Sequence, residues 1–157
     1  VEIEVPLELR INNLQFTDTV DNFLRDDSED GESSFNADDF EMVRVDIIAK
    51  NGFPLGVSVS MALYDSVSNT IKSTIDAADL LEPAPVDSNG RSSGESETAT
   101  SLLFTKAFFE AIDSSDKVIF RFTLNTTNGG GKDVRIYSDY RIDFRAALVV
   151  KPDINLK

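Results

Sequence analysis

The best metal candidate in the chain is the run Asp26-Asp27-Ser28-Glu29-Asp30-Gly31-Glu32. Asp26, Ser28, Asp30 and Gly31 match the first half of a calcium loop of the EF-hand type, in which alternate oxygens ligate the ion and a glycine makes the turn. The twelfth position should carry a bidentate glutamate, but it is Ala37, and no amphipathic helices flank the segment. Calcium needs only oxygens and a flexible loop, so Asp26, Ser28, Asp30 and Glu32 remain the candidate ligands. The competing reading, a solvated acidic loop, is the one this composition favours.

Other chemistries find less. Glycoside hydrolysis needs two carboxylates flanking a cleft, and an acidic surface supplies chance pairs everywhere. Gly129-Gly130-Gly131-Lys132 has phosphate-loop composition, but Asp133 stands where that motif needs Ser or Thr, and a strand rather than a helix follows. It reads as a hairpin loop. Asn125-Thr126-Thr127 formally matches a glycosylation acceptor. Tyr64, Tyr137 and Phe109 are the aromatics expected to face outward, where they would form a binding platform; Phe109 also suits packing of a helix on a sheet. Cysteine and histidine are both absent, which excludes thiol nucleophiles, Cys/His zinc sites, imidazole bases and Ser-His-Asp triads. No residue receives a catalytic role, no cofactor is expected beyond the calcium alternative, and the expectation is a non-enzymatic domain.

Charge narrows the partners. Residues 1–50 hold 14 acids and 4 bases (net −10), and the remaining 107 hold 14 acids and 11 bases (net −3), which together give the chain's −13. Such a surface repels phosphate backbones and anionic headgroups, so nucleic acid is not an expected partner. No run of about 18 apolar residues exists, so direct membrane insertion is not expected either. A protein or glycan partner remains. At 157 residues the chain fits one domain, 1–157, with a core large enough to fold without disulfides.

The dominant pattern is alternation. Val1, Ile3, Val5, Leu7, Leu9 and Ile11 share one parity, with Glu2, Glu4, Glu8 and Arg10 between them, predicting a half-buried strand that Pro6 confines to an edge. Residues 18–41 hold ten acids and one base and read as a long surface loop. Alternation resumes at Val43, Val45, Ile47 and Ala49, then at Leu55, Val57, Val59, Met61 and Leu63. Asn51-Gly52 between them suggests a hairpin turn, with a longer loop through Pro54 as the alternative. A short strand over 70–75, a polar loop over 76–97 turning at Asp87-Ser88-Asn89-Gly90, and a strand ending at Leu102 and Phe104 follow.

A helix is predicted over 106–113, with Thr105 as its cap and a Phe104–Phe109 staple. Val118, Phe120, Phe122 and Leu124 form another strand, and one long strand carries Val134, Ile136, Tyr140, Ile142, Phe144, Ala146 and Leu148. The sum is an all-β antiparallel sandwich, immunoglobulin-like or Greek-key in type, of seven to eight strands with one short helix.

The run from Asn51 to Val59 (NGFPLGVSV), the helix-then-strand over 108–124 ending in Asn125-Thr126-Thr127, and Ile136-Tyr137-Ser138-Asp139-Tyr140 resemble β-sandwich domains of uncharacterised secreted or surface lipoproteins of Bacteroidetes-type bacteria. The likeness covers about the last two-thirds of the chain. It implies export to the cell surface, an upstream lipid anchor, and a role in adhesion or as an accessory binding module. The Asn-Gly-Phe-Pro-Leu strand is also similar to the opening of late-embryogenesis-abundant type 2 domains, without their Asn-Pro. Neither family transfers a functional residue. The binding surface is then expected in loops 18–41 and 76–97 at one end of the sandwich.

Overall fold

A computed structural model describes residues 5–25 and 40–152. Where apolar and polar residues alternate, the chain forms strands: β1 (Leu7–Leu9), β2 (Leu14–Asp21), β3 (Phe40–Asn51), β4 (Leu55–Asp65), β5 (Thr70–Leu81), β6 (Ser96–Thr105), β7 (Lys117–Thr126), β8 (Val134–Ile136) and β9 (Ile142–Pro152). One helix, α1 (Lys106–Ile112), follows β6 directly. Every pairing is antiparallel. The strands form a four-stranded sheet in the order β2-β7-β4-β5, a three-stranded sheet in the order β6-β3-β9, and a β1-β8 ribbon.

This is an all-β sandwich, and its two main sheets approach each other most closely where β5 lies against β6 and β3. The buried cluster sits beneath α1, which plugs one end: Phe108, Phe109, Ala111 and Ile112 pack on Leu63 of β4 and Val118 of β7. Thr105 is the extended N-cap residue, but its side chain makes no capping bond. Phe104 meets Phe108 edge-on at 5.2 Å between ring centroids and packs against the cluster that holds both Phe108 and Phe109.

Several expectations change. Residues 18–21 belong to β2, whose Leu14, Phe16, Asp18 and Val20 pair with Leu124, Phe122, Phe120 and Val118. The strand over 70–75 runs on to Leu81, so the loop expected from 76 begins only at 82. The long final strand is two strands in different sheets, separated by a turn at Tyr137–Tyr140. Asn51-Gly52 is not a type I′ turn, because neither residue has positive φ. Instead the Phe53 N–H donates to Asn51 Oδ1 (2.9 Å), and Gly52 lies so close to Arg141 that a Cβ would meet its carbonyl oxygen at 3.2 Å. The expected Asp87–Gly90 turn does form: the Asn89 and Arg91 amides donate to Asp87 Oδ1 (2.8 and 3.0 Å), and Gly90 has φ +79°. Residues 1–4 of the predicted first strand, and the calcium candidates Asp26, Ser28, Asp30 and Glu32, lie outside the described residues.

Candidate functional site

The end of the sandwich away from α1 is built from pinned loops. Asn51, fully buried, donates from Nδ2 to the Leu55 and Glu82 carbonyls (2.9 and 2.8 Å). The Thr127 hydroxyl donates to the Ala84 carbonyl (2.8 Å), and the Glu82 amide donates to Thr98 Oγ1 (2.8 Å). These bonds hold the 82–95 connection against the sheets. Beside it lies a groove of about 380 Å³ bordered by Glu8, Arg10, Asp87, Lys132, Asp133 and Arg135. Arg10 grips Asp133 with two parallel bonds (2.8 and 3.0 Å), and Arg135 Nε donates to Glu8 (3.0 Å). Two of the groove's carboxylates thus already have arginine partners, and all four of these side chains are more than a third exposed. Pairs of this kind contribute about 0–1 kcal/mol each.

The predicted aromatic platform does not assemble. Tyr137 lies at the loop end with the Arg91 guanidinium 4.4 Å above its ring and Tyr140 edge-on at 5.8 Å. Burial raises the Tyr140 phenol above its ordinary range, and its oxygen accepts from the Ser92 amide (2.7 Å). Tyr64 lies at the opposite end, bonded to Asn69 in the β4–β5 turn, and Phe109 is buried under the helix. The 82–95 loop joins β5 to β6 at the Asn51 end, whereas β2 ends and β3 begins at the α1 end, and most of the other candidate loop lies outside the described residues.

Near α1 the acids are structural. Asp65 Oδ1 accepts from the Val67 and Ser68 amides (3.0 and 3.2 Å), its Oδ2 accepts from the Ser68 hydroxyl, and Lys72 Nζ lies 3.1 Å away. The Ser68 hydroxyl, its amide and Lys72 hold the Asp65 carboxyl well below the ordinary value of 3.8. Asp116 is lowered in the same direction by the hydroxyl and amide of Ser66. A depressed folded-state pKa contributes stability that is fully present above the unfolded value and is lost as pH falls through the folded one. Melts of wild type and Asp65→Ala at a series of pH values should therefore differ most above about pH 5, and the gap should begin to narrow only below about pH 4 and shrink continuously as pH falls further. A gap independent of pH would show that the carboxylate's charge is not what holds the turn.

The remaining feature is the side of the sandwich opposite the β5–β6 contact, where the terminal strands are β2 and β9. Register assigns their inner faces. On β9, Ile142, Phe144, Ala146, Leu148 and Val150 pair with Asn51, Ala49, Ile47, Val45 and Val43 of β3, and those β3 residues face the interior. Yet Phe144 is 56% and Leu148 65% exposed, and every residue of β9 is classed as exposed. On the facing sheet Phe16, Phe122, Phe120 and Phe23 form a row of near-parallel rings with successive centroid distances of 4.9, 6.2 and 6.5 Å. Phe16 is 49% exposed. Phe23, Leu24 and Phe104 border two apolar cavities, one of about 340 Å³ beneath α1 and one of about 310 Å³ lined also by Phe120.

The two edges differ in their protection. Edge strands of natural proteins are guarded by inward-pointing charge, bulges or proline. On β2, Asp18 stands on the inner face opposite Phe120. Strand β9 has five uncharged apolar residues in succession, Ala146-Ala147-Leu148-Val149-Val150, and reaches its proline only at its last position. Sequence reading recognised these residues as a strand but took their row to be covered. What was missing was the strand order, which leaves β9 last in its sheet. Among the described residues no cluster of acids, His or Cys suits a metal ion.

No family model matches the sequence, and no curated protein matches it. Among solved structures the chain is similar to that of the infectious bursal disease virus Gx strain, at 8% identity and a TM-score of 0.38, over 99% of this chain and 33% of the other. It is also similar to the VP2 subviral particle of infectious bursal disease virus, at 10% identity and a TM-score of 0.37, over 97% of this chain and 33% of the other. This chain spans about a third of the length of those chains, and a likeness of that degree assigns no residue a role.

Proposed function

We propose that this chain is a non-enzymatic interaction domain that accepts an extended peptide strand along β9, at the open side of its sandwich. One observation carries the reading: β9 is an eleven-residue edge strand, exposed at every position, whose inner row is apolar. Among the described residues its outer edge has no partner strand, so it offers a row of backbone donors and acceptors, and a strand added to it would seat alternate side chains in the inter-sheet space. Placement on an exported bacterial surface protein, in adhesion or assembly, is part of this proposal. It rests on the resemblance of the NGFPLGVSV run and the 108–127 and 136–140 segments, and a strongly acidic chain suits it.

The test is direct binding of a fluorescein-labelled peptide of alternating Val and Thr flanked by glutamates, read by polarisation. The full chain should bind it, and Leu148→Glu should weaken binding by about tenfold or more, because a carboxylate would stand in the apolar row. Equal binding by Leu148→Glu would rule the site out.

A further inference from the structure

We infer that the strand accepted at β9 comes from a second copy of this chain, and that it is the segment Val1-Glu2-Ile3-Glu4-Val5. The inference rests on the strand-acceptor reading above and names its occupant.

Three observations meet here. The first is an unmet need for cover at the start of the chain. Val1, Ile3, Val5 and Leu7 alternate with acids as a strand with one apolar face does. In the structure Val5 is 83% and Leu7 63% exposed, and among the described residues β1 pairs with the three-residue β8 alone. The row is thus open at its described start, Val5 and Leu7, and half-buried only at Leu9 and Ile11. The second is the matching need along β9, whose inner row lies open, as does Phe16 on the other sheet's terminal strand. A strand laid on β9 would place Val1, Ile3 and Val5 against Phe144, Leu148 and their neighbours, because side chains on adjacent strands share faces.

The third observation is charge. The outward face of β9 carries Asp143, Arg145 and Lys151, with Arg141 just before it, so this stretch is net positive in a chain of net charge −13. Lys151 already pairs with Glu41 at 2.5 Å, whereas Arg145 stands opposite Ile48 of β3. The donor's outward residues are Glu2 and Glu4. Opposite charges across neighbouring strands favour pairing, and the same acids would be repelled by most of the remaining surface. Pro6, which has no N–H to donate, falls just beyond the donor, where the chain leaves the groove.

The contact is heterologous: the donor of one copy meets the acceptor of the next, and each copy keeps one free donor and one free acceptor. Such contacts build open chains unless the rotation between copies closes them into a ring. Sedimentation velocity of the full chain should therefore show oligomers that lengthen with concentration. Ile3→Glu, which spoils the donor, and Leu148→Glu, which spoils the acceptor, should each be monomeric. An equimolar mixture of the two should form a dimer and nothing larger, since only one donor and one acceptor remain intact. The Val/Thr peptide should break wild-type oligomers into monomers. Phe16→Glu, on the facing sheet, serves as the acceptor variant if Leu148→Glu fails to fold by circular dichroism.

A wild-type chain that stays monomeric overturns the inference, as does a mixture of the two variants that stays monomeric, or oligomers that survive both substitutions. A monomeric chain that still binds the peptide would overturn self-assembly alone and leave the acceptor reading standing. A chain that does neither would overturn both.

Discussion

Gly130→Ala should lower the melting temperature by about 6–12 °C, the shift that about 3 kcal/mol produces in a domain of this size. Two costs combine. Gly130 has φ +81°, a conformation that costs a residue with a Cβ about 1–2 kcal/mol. An added Cβ would also lie 2.5 Å from both Asn12 Cα and the Ile11 carbonyl oxygen, and neither is a side chain that can swing aside. Overpacking of that kind costs about 1–3 kcal/mol more. The backbone contact holds the β1–β2 corner against the 127–133 connection, where the Thr126 amide donates to the Ile11 carbonyl (2.9 Å). Gly129→Ala is the control: its φ is +60°, but nothing lies within 4 Å of the added carbon. It should pay only the conformational cost. Equal losses at the two glycines would show that the approach to Asn12 is no constraint.

Asn51→Ala should cost a similar amount, about 3 kcal/mol, and should loosen the loop end before the sheets. The side chain serves three backbone groups: it donates to the Leu55 and Glu82 carbonyls and accepts from the Phe53 amide. Each bond contributes about 1 kcal/mol net, and a buried group left without a partner costs about 1–3 kcal/mol. Native-state hydrogen exchange should show faster exchange at the Ala84 and Ser93 amides, which bond to Phe53 and Pro85, with little change in the central β3 and β4 ladder. Asn51→Asp separates shape from chemistry. It keeps an acceptor for Phe53 but sets a carboxylate against two carbonyl oxygens, so it should be no more stable than the alanine variant. Wild-type stability in Asn51→Asp would show that the two donated bonds contribute nothing.

Legibility followed the regularity of the pattern. Strands β3, β4 and β7 were readable because period two runs unbroken in them, and the helix because Thr105 and the Phe104–Phe109 spacing mark its start. Strand β2 was hidden because Asp18 occupies an inward position and the acids that follow resemble a loop. Strand β5 was read as ending early because its pairing with β4 shifts register at three places, between Val57 and Ser58, Val59 and Met61, and Leu63 and Tyr64. Each irregularity puts extra residues opposite the partner strand and breaks the alternation that would reveal it. The division between β8 and β9 was hidden for the opposite reason. Ile136 and Ile142 keep the same parity across the turn, so two strands in different sheets share one pattern. Of the candidate sites, the calcium run lies outside the described residues, and Tyr64, Tyr137 and Phe109 separate into three environments.

Local chemistry was enough to specify an antiparallel all-β chain: which side chains share a face, where Gly90 and the 128–131 segment must turn, and where the helix starts. These depend on neighbours a few residues apart, so they can be read along the chain. The covering of each face was decided by the tertiary structure. The rows Val43–Ala49 of β3 and Phe144–Val150 of β9 are nearly indistinguishable as patterns, yet Ile47 and Ala49 are buried while Leu148 stands open. The difference lies in strand order, which among the described residues places β3 between two partners and leaves β9 with one. Strand order depends on pairings more than a hundred residues apart, such as Val43 with Val150, and alternation carries no record of them.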